Sequence, residues 1–445
     1  MKIARNYFVR GLLWVGLYVF FSLAPLFLLL AGPVHAGREF WREFSVALAF
    51  AGTALMMLQF ALTARIRPVK EPYGSDVVYF FHHKISLLAF GLILSHPLLL
   101  FLGNPRLLSL LNVFTASWRA RAGVAGLTAL IILVVAASKR QQLKIEYNTW
   151  RLWHGILGIS AVVLGLTHAF MVGHYLNVPW KRGLWLGYFA AWLLVLFYYY
   201  VLKPLLLMRK PYEIVRITAE RGNTWTVSMR PVGHSGLQFM PGQFAWITVR
   251  GTPFSNTENP FSISSSAEHP EEISFTIKEL GDFTRTVSSL QPGEKAYVDG
   301  PYGSFGIDRQ DHASKFVFIA GGVGITPMMS MLRTLADRND SRPVQLIYAN
   351  RDWDGITFRE EIEALKQRLN LSVFYVLEKP PADWQGETGF ITRAFLERNL
   401  STERQRNFQE IFLCGPRPMM DAVEKALLQL EFSPDDIHAE RFSLA

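Results

Sequence analysis

Cysteine is almost absent from this sequence: the 445 residues include one, Cys414. A lone cysteine excludes an intrachain disulfide, a cysteine-rich metal site and covalent c-type haem, which needs a C-x-x-C-H motif. Acidic residues are scarce in residues 1–210, which hold 21 of the 45 basic but only five of the 36 acidic side chains; their net charge is +16, and residues 211–445 carry −7. The basic residues lie in the same half of the chain as the long apolar stretches. Basic loops between apolar stretches are typical of a membrane protein and not of a nucleic-acid-binding protein.

Charged residues are also missing from six long stretches, which predict membrane-spanning helices. These stretches cover residues 11–31, 44–64, 85–105, 122–138, 152–180 and 183–202. About 20 apolar residues in a helix cross the roughly 30 Å of a bilayer's hydrocarbon core, and most of the six approach or exceed that length. The first stretch also fits a signal peptide, but its length favours a retained helix. We therefore expect an all-α bundle of six transmembrane helices, surrounded by membrane lipid, over residues 1–210.

The basic residues between the stretches predict the orientation of the bundle. If the N-terminus is cytoplasmic, the inner segments carry fourteen Lys and Arg residues and the outer segments carry seven. Cytoplasmic loops of membrane proteins are enriched in basic residues. Both termini are therefore expected in the cytoplasm, and a compact chain without extra domains favours a bacterial inner membrane over an organelle membrane.

The chain changes character after Pro211. Short alternating segments separated by Gly and Pro, such as Thr224–Arg230 and Phe244–Val249, indicate an antiparallel β-barrel over residues 211–310. Apolar strands then alternate with helical stretches, which predicts an α/β domain with a mostly parallel sheet over residues 311–445. The expected fold class is a multidomain membrane protein with these three parts in order.

Four histidines in the apolar half share one spacing. His82 and His96 lie fourteen residues apart in the third predicted helix, and His154 and His168 lie fourteen apart in the fifth. Fourteen residues return to within ~40° of the same helical face after ~21 Å of rise. Because both helices are expected to run in the same direction, His82 can face His154, and His96 can face His168. Paired neutral imidazoles suit the iron of two stacked b-type haems; the alternative is hydrogen bonding between helices.

Residues in the predicted barrel have the chemistry of a flavin site. The run from Asn259 to Ser265 places an aromatic ring beside hydroxyl groups, and the ring would lie against the isoalloxazine while Ser262 reaches its polar edge. The run from Gly281 to Arg285 offers backbone N–H groups, a hydroxyl and a guanidinium, which suit a pyrophosphate. An ordinary strand and turn is the alternative interpretation. The residues expected to bind FAD are Pro260, Phe261, Ser262, Ile263, Ser264, Gly281, Phe283, Thr284 and Arg285.

A glycine-rich turn later in the chain predicts a nucleotide site. The run from Ala320 to Pro327 follows a strand and opens a helix, where glycines let the backbone approach a diphosphate. Cys414 ends a later strand and places a thiol where a nicotinamide is expected. Arg351 follows a strand where the ribose 2′ position is read, which favours NADPH, although a surface arginine leaves NADH open. The residues expected to bind the nucleotide are Gly321, Gly322, Gly324, Thr326, Pro327, Arg351, Gly415 and Pro416.

Taken together, the motifs resemble the ferric reductase and NADPH oxidase flavocytochrome family. After the paired histidines come Pro260-Phe261-Ser262, Gly281 to Thr284, Gly300-Pro301-Tyr302-Gly303, the glycine turn and Cys414-Gly415-Pro416, in the family's order. The resemblance implies a ferredoxin-NADP reductase-like module for FAD and NAD(P), with Cys414 and Phe442 as catalytic residues at the nicotinamide and the flavin. Asn259 departs from the Arg or His of relatives, and three residues follow Phe442.

The resemblance also implies a function. Electrons from cytosolic NADPH or NADH would pass through FAD and two b-type haems to a small-molecule acceptor on the outer face, with a ferric chelate favoured. Oxygen, giving superoxide, is the alternative acceptor, although Leu100 stands one turn after His96, where some oxidase relatives place a polar site. A further alternative is an electron-delivery subunit for a periplasmic or membrane partner protein. Nucleic acid is not an expected partner.

Overall fold

The computed structural model describes residues 2–31, 39–66, 75–255, 257–400 and 408–441. Contacts divide the chain into two compact units: a helical unit of described residues between 8 and 203, and a C-terminal unit that holds those from Pro204 onward. Phe442, expected from the sequence as a catalytic residue, lies outside the described residues.

Six of the described helices are long and apolar enough to cross a membrane by length and composition, which confirms the predicted bundle. They are α1 (Lys2–Leu30), α2 (Phe40–Thr63), α3 (Ser75–Gly103), α4 (Trp118–Ser138), α5 (Tyr147–Val172) and α6 (Pro179–Phe197). The last continues through a π-helical turn, Tyr198–Leu202, into α7 (Lys203–Met208). Each of the six predicted stretches thus overlaps one long helix.

Local sequence features set the ends of α5, which carries two of the predicted histidines. The Glu146 carboxylate accepts hydrogen bonds from the N–H groups of Asn148 (2.9 Å) and Thr149 (2.7 Å), which hold the pKa of that carboxyl below its usual range. At the other end Gly173 adopts a left-handed conformation with φ +69°, as helix-ending glycines commonly do. Both ends of α5 are therefore fixed by residues that favour a helix boundary.

The helices of the bundle pack through small residues and through a buried apolar cluster. A Cβ atom added at Gly126 of α4 would lie 3.2 Å from the backbone nitrogen of Gly165 in α5, so glycine lets these two helices approach closely. The cluster joins α2, α5 and α6 and consists of Phe50, Ala54, Met57, Val162, Leu166, Leu176, Trp185 and Trp192. It places the inner face of α2 within the bundle.

The C-terminal unit begins with a six-stranded antiparallel sheet in the order β4-β3-β6-β1-β2-β5. The strands are β1 (Pro211–Glu220), β2 (Thr224–Pro231), β3 (Phe244–Val249), β4 (Asn259–Ser262), β5 (Ile273–Lys278) and β6 (Lys295–Tyr302). A bridge between Ile263 and Phe275 joins the chain after β4 to β5, so the two ends of the sheet meet and the sheet curls. The short helix α8 (Asp282–Thr286) follows β5. The predicted antiparallel barrel is confirmed.

A parallel sheet follows, with strand order β10-β9-β8-β7-β11-β12. Its strands are β7 (Lys315–Gly321), β8 (Val344–Asn350), β9 (Leu371–Leu377), β10 (Glu387–Thr388), β11 (Gln409–Cys414) and β12 (Ile437–Glu440). The helices are α9 (Ile325–Asp337), α10 (Arg359–Leu365), α11 (Arg393–Asn399) and α12 (Arg417–Gln429). Alternate residues of β7 belong to two hydrophobic clusters, Phe316 and Phe318 to one, Val317 and Ile319 to the other. Both faces of the sheet are therefore covered, as expected for a parallel sheet.

Candidate functional site

The four predicted histidines meet in two pairs inside the helical unit. The ring centres of His82 in α3 and His154 in α5 lie 6.3 Å apart, and those of His96 and His168 lie 6.4 Å apart. Two metal–nitrogen bonds of about 2 Å each, with half an imidazole ring at either end, require ring centres roughly 6 Å apart. Each pair thus has the separation needed to hold one metal ion between its two rings.

Three of the four histidines have a hydrogen-bond partner at Nδ1, and in two of them this partner shows which ring nitrogen is available. The Nδ1 atoms of His82, His96 and His168 lie 3.1 Å from Gln59 Oε1, 3.2 Å from Ser45 Oγ and 2.7 Å from the Arg119 carbonyl oxygen. An amide oxygen and a carbonyl oxygen can only accept, so Nδ1 of His82 and of His168 carries the proton. Nε2 then keeps its lone pair, as a metal-bound imidazole requires.

His154 differs from the other three histidines because its buried Nδ1 atom has no hydrogen-bond partner among the described residues. Its ring lies 5.1 Å from that of Trp150, one turn earlier on α5, and the buried Nε1 of Trp150 also lacks a partner there. Buried polar atoms are nearly always hydrogen-bonded. Two orphaned nitrogens beside the His82–His154 pair therefore indicate that a group with polar atoms belongs at this site, and a haem with its carboxylates fits.

A glycine makes room for the second pair. A Cβ atom at Gly123 of α4 would lie 2.8 Å from Nδ1 and 3.1 Å from Cγ of His168. Contacts of that length require the ring to move. The position of the His168 ring therefore depends on Gly123 having no side chain.

The predicted flavin residues lie on and after β4, at one end of the curled sheet. Ser262 is buried, and its Oγ has no hydrogen-bond partner among the described residues. The ring of Phe261 stacks with that of Phe283 from α8, with ring centres 5.8 Å apart and planes inclined by 25°. The two sequence motifs thus come together, and an orphaned hydroxyl beside stacked aromatic rings fits the polar edge and the plane of a flavin.

The hydroxyl of Thr284 closes the turn before α8. It accepts hydrogen bonds from the backbone N–H groups of Leu280 and Gly281, both at 2.8 Å, and donates to the Gly281 carbonyl at 3.0 Å. The exposed Arg285 follows on the same short helix. The Thr284 hydroxyl thus joins the turn to α8, and binding of a pyrophosphate by Thr284 and Arg285 stays a prediction.

Two of the predicted flavin residues have structural contacts instead of an open face. The side chain of Ile263 is fully buried in the barrel core, and the Ser264 hydroxyl accepts a hydrogen bond from Thr276 at 3.0 Å. The Ser264 carbonyl accepts a hydrogen bond of 2.5 Å from Arg333 of α9. These contacts hold the chain after β4 against the barrel core and against α9. Direct binding of a flavin by Ile263 and Ser264 stays a prediction.

The predicted nucleotide residues gather where β7, β8 and β11 end. Because these strands are parallel neighbours, Ala320 lies opposite Cys414 and Gly321 lies opposite Ala349. Ligands of open α/β sheets bind outside the carboxyl ends of the strands. Arg351 lies at the same edge, is exposed, and has its backbone N–H bonded to Asn350 Oδ1 at 2.9 Å. The arrangement suits a dinucleotide that crosses the end of the sheet.

The glycines of this edge are required by packing. A Cβ atom at Gly324 would lie 2.2 Å from the Cys414 carbonyl oxygen, and one at Gly415 would lie 2.6 Å from a methyl group of Met419. Gly322 adopts φ +53°, which favours glycine. The turn before α9 therefore lies directly against the loop after β11, and the two predicted motifs form one site. Thr326 and Pro327, in the first turn of α9, are buried.

Cys414 is fully buried at the end of β11. Burial raises the pKa of its thiol well above the usual value, and the charge of Glu440 acts in the same direction. The thiol is therefore neutral at physiological pH. Any part that Cys414 takes in catalysis must be that of a protonated thiol.

Sequence reasoning missed Gln59, Ser45 and Arg333. Gln59 and Ser45 are fourteen residues apart on α2, the same spacing as the histidines of α3 and α5, and this repeat was a usable signal. Arg333 is different, because its hydrogen bonds to Ser264 and Glu361 join residues far apart in the sequence. No local pattern indicates such a contact.

Three family models match the chain in sequence order. They are the ferric reductase like transmembrane component over residues 48–165, the FAD-binding domain over residues 209–305 and the oxidoreductase NAD-binding domain over residues 318–425. The first match contains His82, His96 and His154 and ends three residues before His168. Together the matches run from α2 to α12, and one match lies in each of the helical bundle, the barrel and the parallel sheet.

The chain spans about 60% of the length of the first curated relatives that it matches. The chain is 32% identical to a glycine betaine monooxygenase reductase subunit of Chromohalobacter salexigens over 46% of this chain and 56% of the relative. It is 32% identical to NADH-cytochrome b5 reductase 1 of Candida albicans over 42% of this chain and 63% of the relative. A stachydrine N-demethylase reductase subunit of Rhizobium meliloti is 30% identical over 53% and 67%, respectively.

A solved structure, the ferredoxin reductase in carbazole 1,9a-dioxygenase, matches with 25% identity and a TM-score of 0.45. The match covers 53% of this chain and 69% of that chain.

Proposed function

Because the chain belongs to the family that joins a ferric reductase-like transmembrane component to FAD-binding and NAD-binding domains, we propose that it carries electrons from NAD(P)H across a membrane. We assign residues 1–210 to a di-haem bundle, residues 211–310 to the FAD domain and residues 311–445 to the NAD(P) domain. The membrane is proposed to be a bacterial inner membrane with both chain termini in the cytoplasm.

When bound, FAD converts a two-electron hydride into one-electron steps, and each haem carries one electron at a time. The glycine turn at 321–324 and the loop from Cys414 hold the nucleotide at the end of the parallel sheet, with Arg351 placed to favour NADPH. Phe261 and Ser262 hold the flavin ring from β4. The neutral Cys414 thiol and Phe442 are proposed to border the reacting rings.

The histidine pairs supply the rest of the path. His82 and His154 would hold one haem and His96 and His168 would hold the other, with ~21 Å of helical rise between ligands on the same helix. With two imidazoles assigned to each metal, the pairs would hold haem for electron transfer rather than for binding a further ligand. The paired ring separations of 6.3 and 6.4 Å are the observation that carries this proposal.

The proposed acceptor is a ferric chelate on the outer face. The outer ends of the helices carry Arg106, Arg119, Arg121 and Arg182, and a positive surface attracts the anionic chelates in which ferric iron is soluble. The relatives named as monooxygenase reductase subunits favour a second candidate, in which the electrons pass to a partner protein. Oxygen is the third acceptor to be tested.

The first experiment is an anaerobic reduction. The protein is purified in detergent, NADPH is added without oxygen, and the visible spectrum is recorded over time. The proposal expects flavin bleaching followed by low-spin b-type haem bands that correspond to two haems per chain. If no haem band appears even with dithionite, the histidine assignment is wrong and the bundle has another function.

A variant pair localises the path. His168→Leu should leave reduction of the flavin by NADPH intact, lose one haem and abolish ferric reduction at the outer face. His83→Leu is the matched control, because His83 is exposed and adjacent to a proposed ligand. Outer-face reduction that persists in His168→Leu would contradict the assignment.

Superoxide dismutase then identifies the acceptor: if it blocks reduction of an added reporter, oxygen is the acceptor.

A further inference from the structure

We infer that α2, which supplies no haem ligand, is the helix that orients one imidazole of each histidine pair, with Gln59 as the positioning residue for His82 and Ser45 as the positioning residue for His96. The inference rests on the proposed haem function. Neither the family match nor the spacing of the histidines indicates this role of α2.

The spacing along α2 mirrors that along α3. Gln59 and Ser45 are fourteen residues apart, as are His82 and His96, and the higher-numbered residue of one helix meets the lower-numbered residue of the other. The two helices are therefore antiparallel and in register at both imidazoles. Both α2 side chains are buried, Ser45 at 0% and Gln59 at 4% exposure, on a helix that is long and apolar enough to cross a membrane.

The other hydrogen bonds of these side chains fix the direction of each contact. The Ser45 hydroxyl donates its one proton to the Arg42 carbonyl at 2.7 Å, so toward His96 its oxygen only accepts. The Gln59 amide nitrogen donates to Tyr18 Oη at 2.8 Å and to the Leu55 carbonyl at 3.2 Å, which turns its oxygen toward His82. Both contacts therefore hold the proton on Nδ1 and present Nε2 to the metal.

The contacts also tune the metal. An acceptor at Nδ1–H makes the imidazole a stronger electron donor, which stabilises oxidised iron and lowers the midpoint potential. The partners of the other two ligands differ, because His168 bonds to the backbone carbonyl of Arg119 and His154 Nδ1 has no partner among the described residues. Each pair thus has one side-chain contact on α2 that a substitution removes, and the two potentials are adjustable one at a time.

The test is a redox titration of the purified holoprotein, followed in the visible spectrum and by electron paramagnetic resonance of the oxidised haems. Ser45→Ala should raise the midpoint potential of one haem, and Gln59→Leu should raise that of the other. Gln59→Glu, which keeps a stronger acceptor, should lower the potential that Gln59→Leu raises. Ser45→Thr keeps the hydroxyl and should restore the original value.

Thr53→Ala is the matched control on α2, because the Thr53 hydroxyl bonds to the Ala49 carbonyl of its own helix at 2.8 Å. It should leave both potentials unchanged. If both haems are present and neither Ser45→Ala nor Gln59→Leu changes a potential, the inference is overturned while the proposed function stands. If the unsubstituted protein holds no haem, the proposed function fails and this inference fails with it.

If a variant loses its haem, the second substitution at the same position tests the role of that residue. Should Gln59→Leu lose one haem, Gln59→Glu decides the matter, because a contact that only fills space would not shift the potential downward. An unchanged potential in Gln59→Glu would overturn the role of Gln59. In the same way, a shifted potential in Ser45→Thr would overturn the role of the Ser45 hydroxyl.

Discussion

Replacing Gly123 by alanine tests how tightly the His96–His168 pair is built. The added methyl carbon would lie 2.8 Å from Nδ1, 3.1 Å from Cγ and 3.2 Å from Cε1 of His168, whereas ordinary van der Waals contacts are 3.4–4 Å. The ring must therefore retreat by about half an ångström or more. It cannot do so without stretching the 2.7 Å hydrogen bond from Nδ1 to the Arg119 carbonyl and changing the 6.4 Å separation of the pair.

Overpacking of this kind costs about 1–3 kcal/mol, which corresponds to roughly a fivefold to 150-fold loss of affinity for the metal held by that pair. The affinity of the His82–His154 pair should not change. The assay is haem content per chain after purification, with the spectrum of the reduced protein as the second readout. We expect Gly123→Ala to keep one haem of two.

Gly187→Ala is the control, because a Cβ atom at Gly187 on α6 would have nothing within 4 Å. It should retain both haems. If Gly123→Ala binds two haems with an unchanged spectrum, the packing argument is refuted. If the control also loses haem, the effect is one of general stability and not of this contact.

Three further predictions concern the C-terminal unit. Because burial raises the pKa of the Cys414 thiol, this single cysteine should resist iodoacetamide in the folded protein at pH 8 and react after unfolding; labelling of the folded protein would contradict its burial. Burial also raises the pKa of Glu220. The free energy of unfolding therefore falls as the pH rises above the pKa that this carboxyl has in the unfolded chain. Glu220→Gln should therefore increase the free energy of unfolding at pH 7. The increase should be less than about 1 kcal/mol, since the group is partly solvated, and it should be absent near pH 3. Arg333 bonds to the Ser264 carbonyl and to both carboxylate oxygens of Glu361. Arg333→Met removes a charge-assisted contact of about 1.5–3 kcal/mol. We expect this variant to keep its flavin content and to show flavin reduction about tenfold slower in stopped flow. A normal rate would show that this contact does not position the nucleotide domain.

Much of the molecule was predictable because its signals are local in the sequence. Membrane helices follow from uninterrupted apolar length, and strand alternation and turn residues predicted the barrel and the parallel sheet. The histidine pairing was also accessible, because fourteen residues return to nearly the same helical face. The glycines of the nucleotide turn were predicted as phosphate-binding residues, and the close approach of Gly324 to Cys414 gives them a packing role as well.

Other features depend on which elements become neighbours. The sequence shows that Ser45, Gln59 and Gly123 exist, but only the packing of α2, α3, α4 and α5 places them against particular imidazoles. The burial of Ile263, Ser264 and Cys414 likewise depends on the sheet around them.

The sequence by itself therefore determined the order of the parts, the spans of the helices and the candidate residues for a metal, a flavin or a nucleotide, because periodicity and chemical type are properties of a short segment. The tertiary structure decided which ring nitrogen of His82, His96 and His168 is hydrogen-bonded, which glycines are closely packed and which of the predicted ligands are buried. Those properties arise from contacts between residues distant in the chain, and a contact exists only once the chain has folded.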